Sequence, residues 1–138
     1  MLFKQPECFE LLPAILNTIQ SGASDLNCSG CQLNNDVLRE IAIALKKNQT
    51  LLTLNLCEND FDDEGIIFLA GAIQRNNTLR ELRLANLPKV TKEGVNKMAE
   101  VFASKPKLKY LDICGVIYQK PQIDEADLMM HGFGRMAF

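Results

Sequence analysis

The sequence predicts an α/β solenoid, a short right-handed coil with a parallel sheet on its concave face and helices on its convex face. Three observations predict it. Leu51, Leu54, Leu56, Asn59 and Phe61 follow the spacing L-x-x-L-x-L-x-x-N-x-F, and Ile66, Leu69, Ala70 and Ile73 then recur at helical spacing. The pattern returns 28 residues on as Leu79, Leu82 and Leu84, 29 further as Leu108, Leu111 and Ile113, and 28 back as Ala23, Leu26 and Cys28 with Cys31 and Leu33. The helical halves align as well, with Leu38, Ile41, Ala42 and Leu45 matching Ile66, Leu69, Ala70 and Ile73, then Val95, Met98, Ala99 and Phe102.

Taken in order, residues 1–22 read as an N-terminal helical cap, carrying the stripe Phe9, Leu12, Ile15, Leu16 and Ile19. Pro13 should kink that helix or mark its first turn, because proline lacks the N–H and crowds the preceding turn. Ser21-Gly22 ends it with a residue suited to the left-handed cap position. The repeats occupy 23–113, divided as 23–50, 51–78, 79–107 and a partial unit 108–113. Asn35 or Asp36, Asp62 or Asp63, and Thr91 are the expected helix N-caps, since their side-chain oxygens can accept from unpaired N–H groups. Lys46-Lys47, Gln74-Arg75 and Ser104-Lys105 should close the helices facing solvent. After Ile113 the pattern stops, leaving 114–138 as a tail or partial cap in which only Glu125 to Met130 can make a short helix.

These residues resemble the leucine-rich repeat, and the unit length with a long apolar helix is similar to its ribonuclease-inhibitor type. Asn or Cys at the ninth position belongs to that pattern, as at Asn59 and Cys31. The third unit departs from it, with Leu87 in the ninth position, Pro88 next and Asn86 displaced by one. The resemblance implies a protein-binding scaffold. Members of the family include ribonuclease inhibitors, ligand-sensing ends of innate immune receptors, actin-filament pointed-end cappers, axonemal scaffolds and the GTPase activator of nuclear transport.

Composition narrows the function classes. A net charge of −2 from 15 basic and 17 acidic residues supplies no global field for nucleic acid or an anionic membrane. No run approaches the roughly 18 apolar residues of a membrane helix. The first twenty residues contain Glu7, Glu10, Pro6 and Pro13 and do not read as a signal peptide. Five cysteines without an export signal suggest reduced thiols in the cytoplasm, with nuclear or cytoskeleton-associated placement as alternatives.

The chemical motifs dissolve on inspection. Cys28-x-x-Cys31 occupies the sixth and ninth repeat positions, both expected to face the core, and no second pair completes the four ligands of structural zinc. Asp60 to Gly65 starts like a calcium loop, but the twelfth position is Gly71 where a bidentate glutamate is needed. Asn27-Cys28-Ser29, Asn48-Gln49-Thr50 and Asn76-Asn77-Thr78 match the glycosylation rule and read as turns. Gly132 to Ala137 imitates a dinucleotide fingerprint without the strand and helix it requires. With His131 alone in the tail, no catalytic set assembles; no enzyme activity, cofactor, metal or small-molecule substrate is expected.

What remains is the concave sheet face. Alternation along each strand turns outward Asp25, Asn27 and Ser29, then Thr53, Asn55 and Cys57, then Glu81, Arg83 and Ala85, then Tyr110, Asp112 and Cys114, with Glu58 and Asn86 on the rim. Arg83 and Tyr110 are the expected anchors of a protein partner, because these side-chain types carry interface energy. Asp25, Asn55, Glu81 and Asp112 should set charge complementarity, with Asn27, Thr53 and Glu58 completing the strip, and Cys57 and Cys114 should be the thiols most open to modification. The alternatives are a regulator of an enzyme, either a GTPase activator or a nuclease inhibitor, and a truncated isoform of a longer repeat protein.

Overall fold

A computed structural model describes residues 8–121. Its elements run α1 (Cys8–Gln20), β1 (Asp25–Asn27), α2 (Asn35–Lys47), β2 (Thr53–Asn55), α3 (Asp63–Gln74), β3 (Glu81–Leu84), α4 (Lys92–Ser104), β4 (Tyr110–Ile113) and β5 (Val116–Gln119). β1 to β4 pair in parallel, each with the next, so that Asp25 lies beside Thr53, Thr53 beside Glu81 and Glu81 beside Tyr110. Parallel strands need a crossover, and α2, α3 and α4 supply it. The helices stack in chain order, α1 on α2, α2 on α3 and α3 on α4.

The repeat leucines form the core that this arrangement demands. Leu26, Leu54, Leu82 and Leu111 project inward from successive strands, and Leu51, Leu56, Phe61, Ile66 and Leu69 are fully buried with them. No single unit could bury such a face alone, so each stabilises its neighbour. α1 continues through Pro13, which lies inside the helix rather than in its first turn, and Gly22 follows with a φ of 92°.

Polar side chains join one unit to the next. Asn59 Oδ1 accepts from the amides of Cys31 at 3.2 Å and Leu33 at 2.9 Å, while Nδ2 donates to the carbonyls of Cys28, Leu56 and Cys57 at 3.0, 3.0 and 3.1 Å. That ladder has one such rung among the described residues. Cys31, expected in the core, is half-buried with its thiol 3.6 Å from Ser29 O. Leu87 fills the same place in the third unit as an apolar plug.

A second column lies at the helix C-termini. Asn76 Nδ2 donates to Leu45 O at 2.8 Å and Asn48 O at 3.2 Å, and Asn48 Nδ2 donates to Ile19 O at 3.0 Å. A third joins the helix N-termini, where Asn35 Nδ2 donates to Asp62 Oδ1 at 2.6 Å and Asp63 Oδ1 accepts from Thr91 N at 2.8 Å. Asp62 and Thr91 cap α3 and α4 as expected, but the cap of α2 is Asn34, one residue before the expected Asn35 or Asp36. Asn35 is free to reach the next unit for that reason. The reach needs glycine opposite it, since a Cβ on Gly65 would stand 2.2 Å from Asn35 Oδ1 and one on Gly94 2.6 Å from Asp63 Oδ1.

The C-terminal end adds an element that the repeat pattern does not predict. Cys114 and Gly115, with φ of 52° and 86°, form a two-residue turn of the type that suits strand twist, and β5 returns antiparallel along β4. Regular pairing therefore continues past Ile113, although the leucine pattern does not. Tyr118 lies against the Phe102 ring with centroids 5.8 Å apart, and Lys120 Nζ donates to the carbonyls of Phe102 and Lys105. The expected helix from Glu125 to Met130, His131 and the 132–137 glycine motif lie outside the described residues.

Candidate functional site

The helices cover one side of the sheet and leave the other open. Two rows of side chains cross that open side, Asp25, Thr53, Glu81 and Tyr110 in one and Asn27, Asn55, Arg83 and Asp112 in the other, as the parallel register dictates. All eight are half-buried or exposed. Between them lies a shallow depression of about 240 Å³ lined by Asp25, Asn27, Thr53, Asn55, Glu81 and Arg83 together with the strand backbone at Leu26 and Leu54.

Arg83 is held in place before any partner arrives. Its Nε and a terminal nitrogen meet Glu81 Oε2 at 3.0 and 2.8 Å, and its guanidinium lies over the Tyr110 ring, 4.6 Å from the centroid. The hydrogen bond to Glu81 pushes its pKa further up, so the cation is permanent. Thr53 Oγ1 donates to Asp25 Oδ1. Asn27 and Asn55 each accept from the amide two residues on, Ser29 N and Cys57 N, at 3.0 Å. Asp112, beside Arg83 on the next strand, has one shielded carboxylate oxygen, Oδ1, with no hydrogen-bond partner. The face thus carries Asp25, Glu58, Glu81 and Asp112 against one arginine, and that arginine already serves Glu81.

Glu58 stands out on backbone grounds. Gly30, Glu58, Asn86 and Gly115 occupy one place in successive units, and their φ values are 65°, 61°, 58° and 86°. That left-handed conformation favours glycine, and a Cβ there costs free energy. Glu58 keeps an exposed carboxylate at the position, 3.5 Å from the Asn86 amide.

Cys57 and Cys114 are less available than expected. Both are half-buried, Cys57 Sγ accepts from Ala85 N at 3.2 Å, and burial pushes both thiols above their ordinary pKa. Cys28 is pushed up to about 11 by burial, with Cys31 adding to the effect. A thiol raised in this way holds little thiolate at neutral pH. Among the described residues no group of three or more His, Cys, Asp and Glu is arranged to hold a metal ion, and no helix is long and apolar enough to cross a membrane.

Sequence reasoning missed two members of this face. Antiparallel pairing sets Ile117 opposite Asp112 and Gln119 opposite Tyr110, so β5 adds both side chains to the open side, and Ile117 is 57% exposed. The signal available was a β-branched and aromatic run, Val116-Ile117-Tyr118, after a turn at Cys114-Gly115.

A repeating strand-and-helix unit, parallel register and inward leucines define a leucine-rich repeat, and the leucine-rich repeat family profile matches residues 47–70. The chain is a leucine-rich repeat protein. It is similar to human NACHT, LRR and PYD domains-containing protein 13, 31% identical over 110 residues that make up 79% of this chain and 10% of that protein. It is also similar to RAN GTPase-activating protein 2 of Arabidopsis thaliana, 28% identical over 115 residues, 81% of this chain and 21% of that one. The chain therefore spans only a small part of the length of these relatives. A solved structure of leiomodin-1 actin-binding site 2 superposes with a TM-score of 0.61 at 21% identity, covering 96% of this chain and 89% of that one. That likeness extends over the fold as a whole. A leucine-rich repeat is in general a protein-interaction module.

Proposed function

We propose that the chain is a non-catalytic scaffold that receives a protein partner on the open face of its sheet, in the cytoplasm or on the cytoskeleton. Arg83 and Tyr110 serve as the anchors, Asp25, Glu58, Glu81 and Asp112 select a partner of basic character, and Asn27, Thr53 and Asn55 complete the contact. The observation that carries this reading is Glu58. It is a charged residue retained at a φ of 61°, where Gly30, Asn86 and Gly115 occupy the matching places and glycine or asparagine suits the backbone. That retention argues that its carboxylate is kept for contact rather than for folding. The ordering of Arg83 by Glu81 and Tyr110 supports the same reading, because a side chain fixed beforehand loses less freedom on binding.

The test immobilises the full chain beside an Arg83→Glu/Tyr110→Ala double variant, checks that both fold, and exposes each to purified actin and to eukaryotic lysate. Actin is the defined probe because the similar leiomodin structure is that of an actin-binding site. A protein retained by the wild type and lost by the variant supports the open face. Equal retention would move the contact to the helices or the tail. Glu58→Gly separates folding from binding: it should raise stability by about 1 kcal/mol by relieving the left-handed strain, while weakening the same partner.

A second reading, regulation of a GTPase, is favoured by the 28% identity to a RAN GTPase-activating protein. Acceleration of GTP hydrolysis by Ran on adding the chain would establish it.

A further inference from the structure

The final strand presents a sheet edge that no other described element covers. β5 pairs with β4 on one side and is the last strand of the sheet. The closing turn holds two residues and Lys120 N donates to Lys109 O at 2.9 Å, so Val116, Tyr118 and Lys120 direct their backbone groups toward β4. Alternation then turns the N–H and C=O of Ile117 and Gln119 outward along the free edge.

Exposed edges are ordinarily protected by charge, proline or a bulge. β5 reads Val-Ile-Tyr-Gln, with none of these, and Val116 and Ile117 are 44% and 57% exposed. The adjacent charge, Lys120, is turned away to the α4 carbonyls and does not guard the edge. The opposite edge differs, since β1 is three residues long and carries Asp25.

The flank beside β5 is apolar in the same way. Val95 and Ala99 of α4 hold the repeat positions at which Ile66 and Ala70 of α3 are fully buried, yet both are half-exposed. Glu93, Lys97 and Glu100 lie elsewhere on α4, lining a groove with Ile67 of α3. Ala99 and Ala103 keep this flank small, with Lys92 at its N-terminal end.

We propose that this edge and flank form a homodimer interface, with β5 pairing antiparallel to β5 of a second copy about a two-fold axis normal to the sheet. Centred on Tyr118, such pairing brings Ile117 opposite Gln119 of the other copy and Gln119 opposite Ile117, so the outward N–H and C=O groups meet in register. One operator thus satisfies both edges, and no other strand has to move. The same axis sets the two α4 helices antiparallel on the helical side, where Val95 and Ala99 of each copy close over Val116 and Tyr118. The two open faces then lie side by side on one continuous sheet.

The test is the solution mass of the full chain over a dilution series, beside Ile117→Lys, which puts a charge on the outward edge without touching the β4 ladder. The expected result is twice the chain mass for the wild type at high concentration and the single-chain mass for the variant, with unchanged circular dichroism. Hydrogen exchange at Ile117 and Gln119 adds a readout on the wild type alone, whose protection should fall on dilution. A wild type that is monomeric at every concentration would overturn the dimer. So would a dimer indifferent to Ile117→Lys, which uses another surface. Concentration-independent protection of both amides in a monomer would assign the edge to residues 122–138 of the same chain.

Discussion

The seam between α2 and α3 and the terminal seam beside β5 meet the same need with different chemistry, and the seam between α3 and α4 already uses a lysine, Lys105 Nζ donating to Gln74 O at 3.0 Å. Inside, Asn76 reaches back to the carbonyls of Leu45 and Asn48; at the end, Lys120 reaches back to those of Phe102 and Lys105. Phe102 and Lys105 are the positional equivalents of Leu45 and Asn48 two units on. What the repeat conserves is thus a pair of helix-terminal carbonyls that require a donor. The amide answers from within the chain's own register, and its oxygen also accepts from Thr78 N and Leu79 N, fixing the turn into the next strand. The ammonium only donates, so it satisfies the carbonyls without organising a further unit. Burial and the Lys109 charge push its pKa below the usual lysine value, a further cost the amide does not carry.

The strongest way to break the comparison is to empty an internal seam. Asn59→Ala leaves the amides of Cys31 and Leu33 and three carbonyls without their shared partner in a buried site, and should cost about 3 kcal/mol in urea unfolding. A loss no larger than that of a surface substitution would show that water replaces the side chain. Next in size is the direct contrast of Asn76→Ala with Lys120→Met. The first should cost about 2 kcal/mol and the second about 1 kcal/mol, because the first also releases two turn amides. Equal costs would mean that the terminal seam matters as much as an internal one.

The smallest effect sharpens the helix N-terminal seam. The hydrogen bond from Asn35 holds the Asp62 carboxyl below its ordinary value, and that from Thr91 does the same for Asp63. A depressed folded-state pKa contributes stability that is present above the unfolded value, near 3.9, and is lost as pH falls through the folded one. Thermal midpoints should therefore drop below about pH 4, and Asp63→Asn should flatten part of that drop. Both carboxylates are largely solvated, so the change is small; an identical acid profile for the variant would remove Asp63 from the account.

Much of the fold was legible because its period is written in large apolar residues. Leu54, Leu82 and Leu111 fall at one register on adjacent strands, and the capping roles of Asp62 and Thr91 follow from local backbone chemistry. Asn34 was missed by one position because Asn34, Asn35 and Asp36 can all cap, and only the neighbouring unit's need for Asn35 decides among them. The open face was legible as a set of positions, since alternation alone turns Asp25 or Arg83 outward. Its internal couplings were not: Arg83 has Glu81, Tyr110 and Asp112 around it, and the sequence does not rank them. Glu58 was legible as a rim position but its backbone conformation was not, because a left-handed φ is invisible in a residue that rarely adopts one.

The sequence by itself determined the period, the inward leucines and hence the parallel sheet with its helical layer, because burial of apolar area at fixed spacing admits one winding. Tertiary structure alone decided how the array closes. β5 has no leucine register, and its antiparallel return depends on an edge that β4 must first present; Lys120 finds its carbonyls only because α4 ends beside that strand. Periodic contacts repeat and can be read from one unit, whereas a terminus meets a surface that exists only once the repeats have assembled.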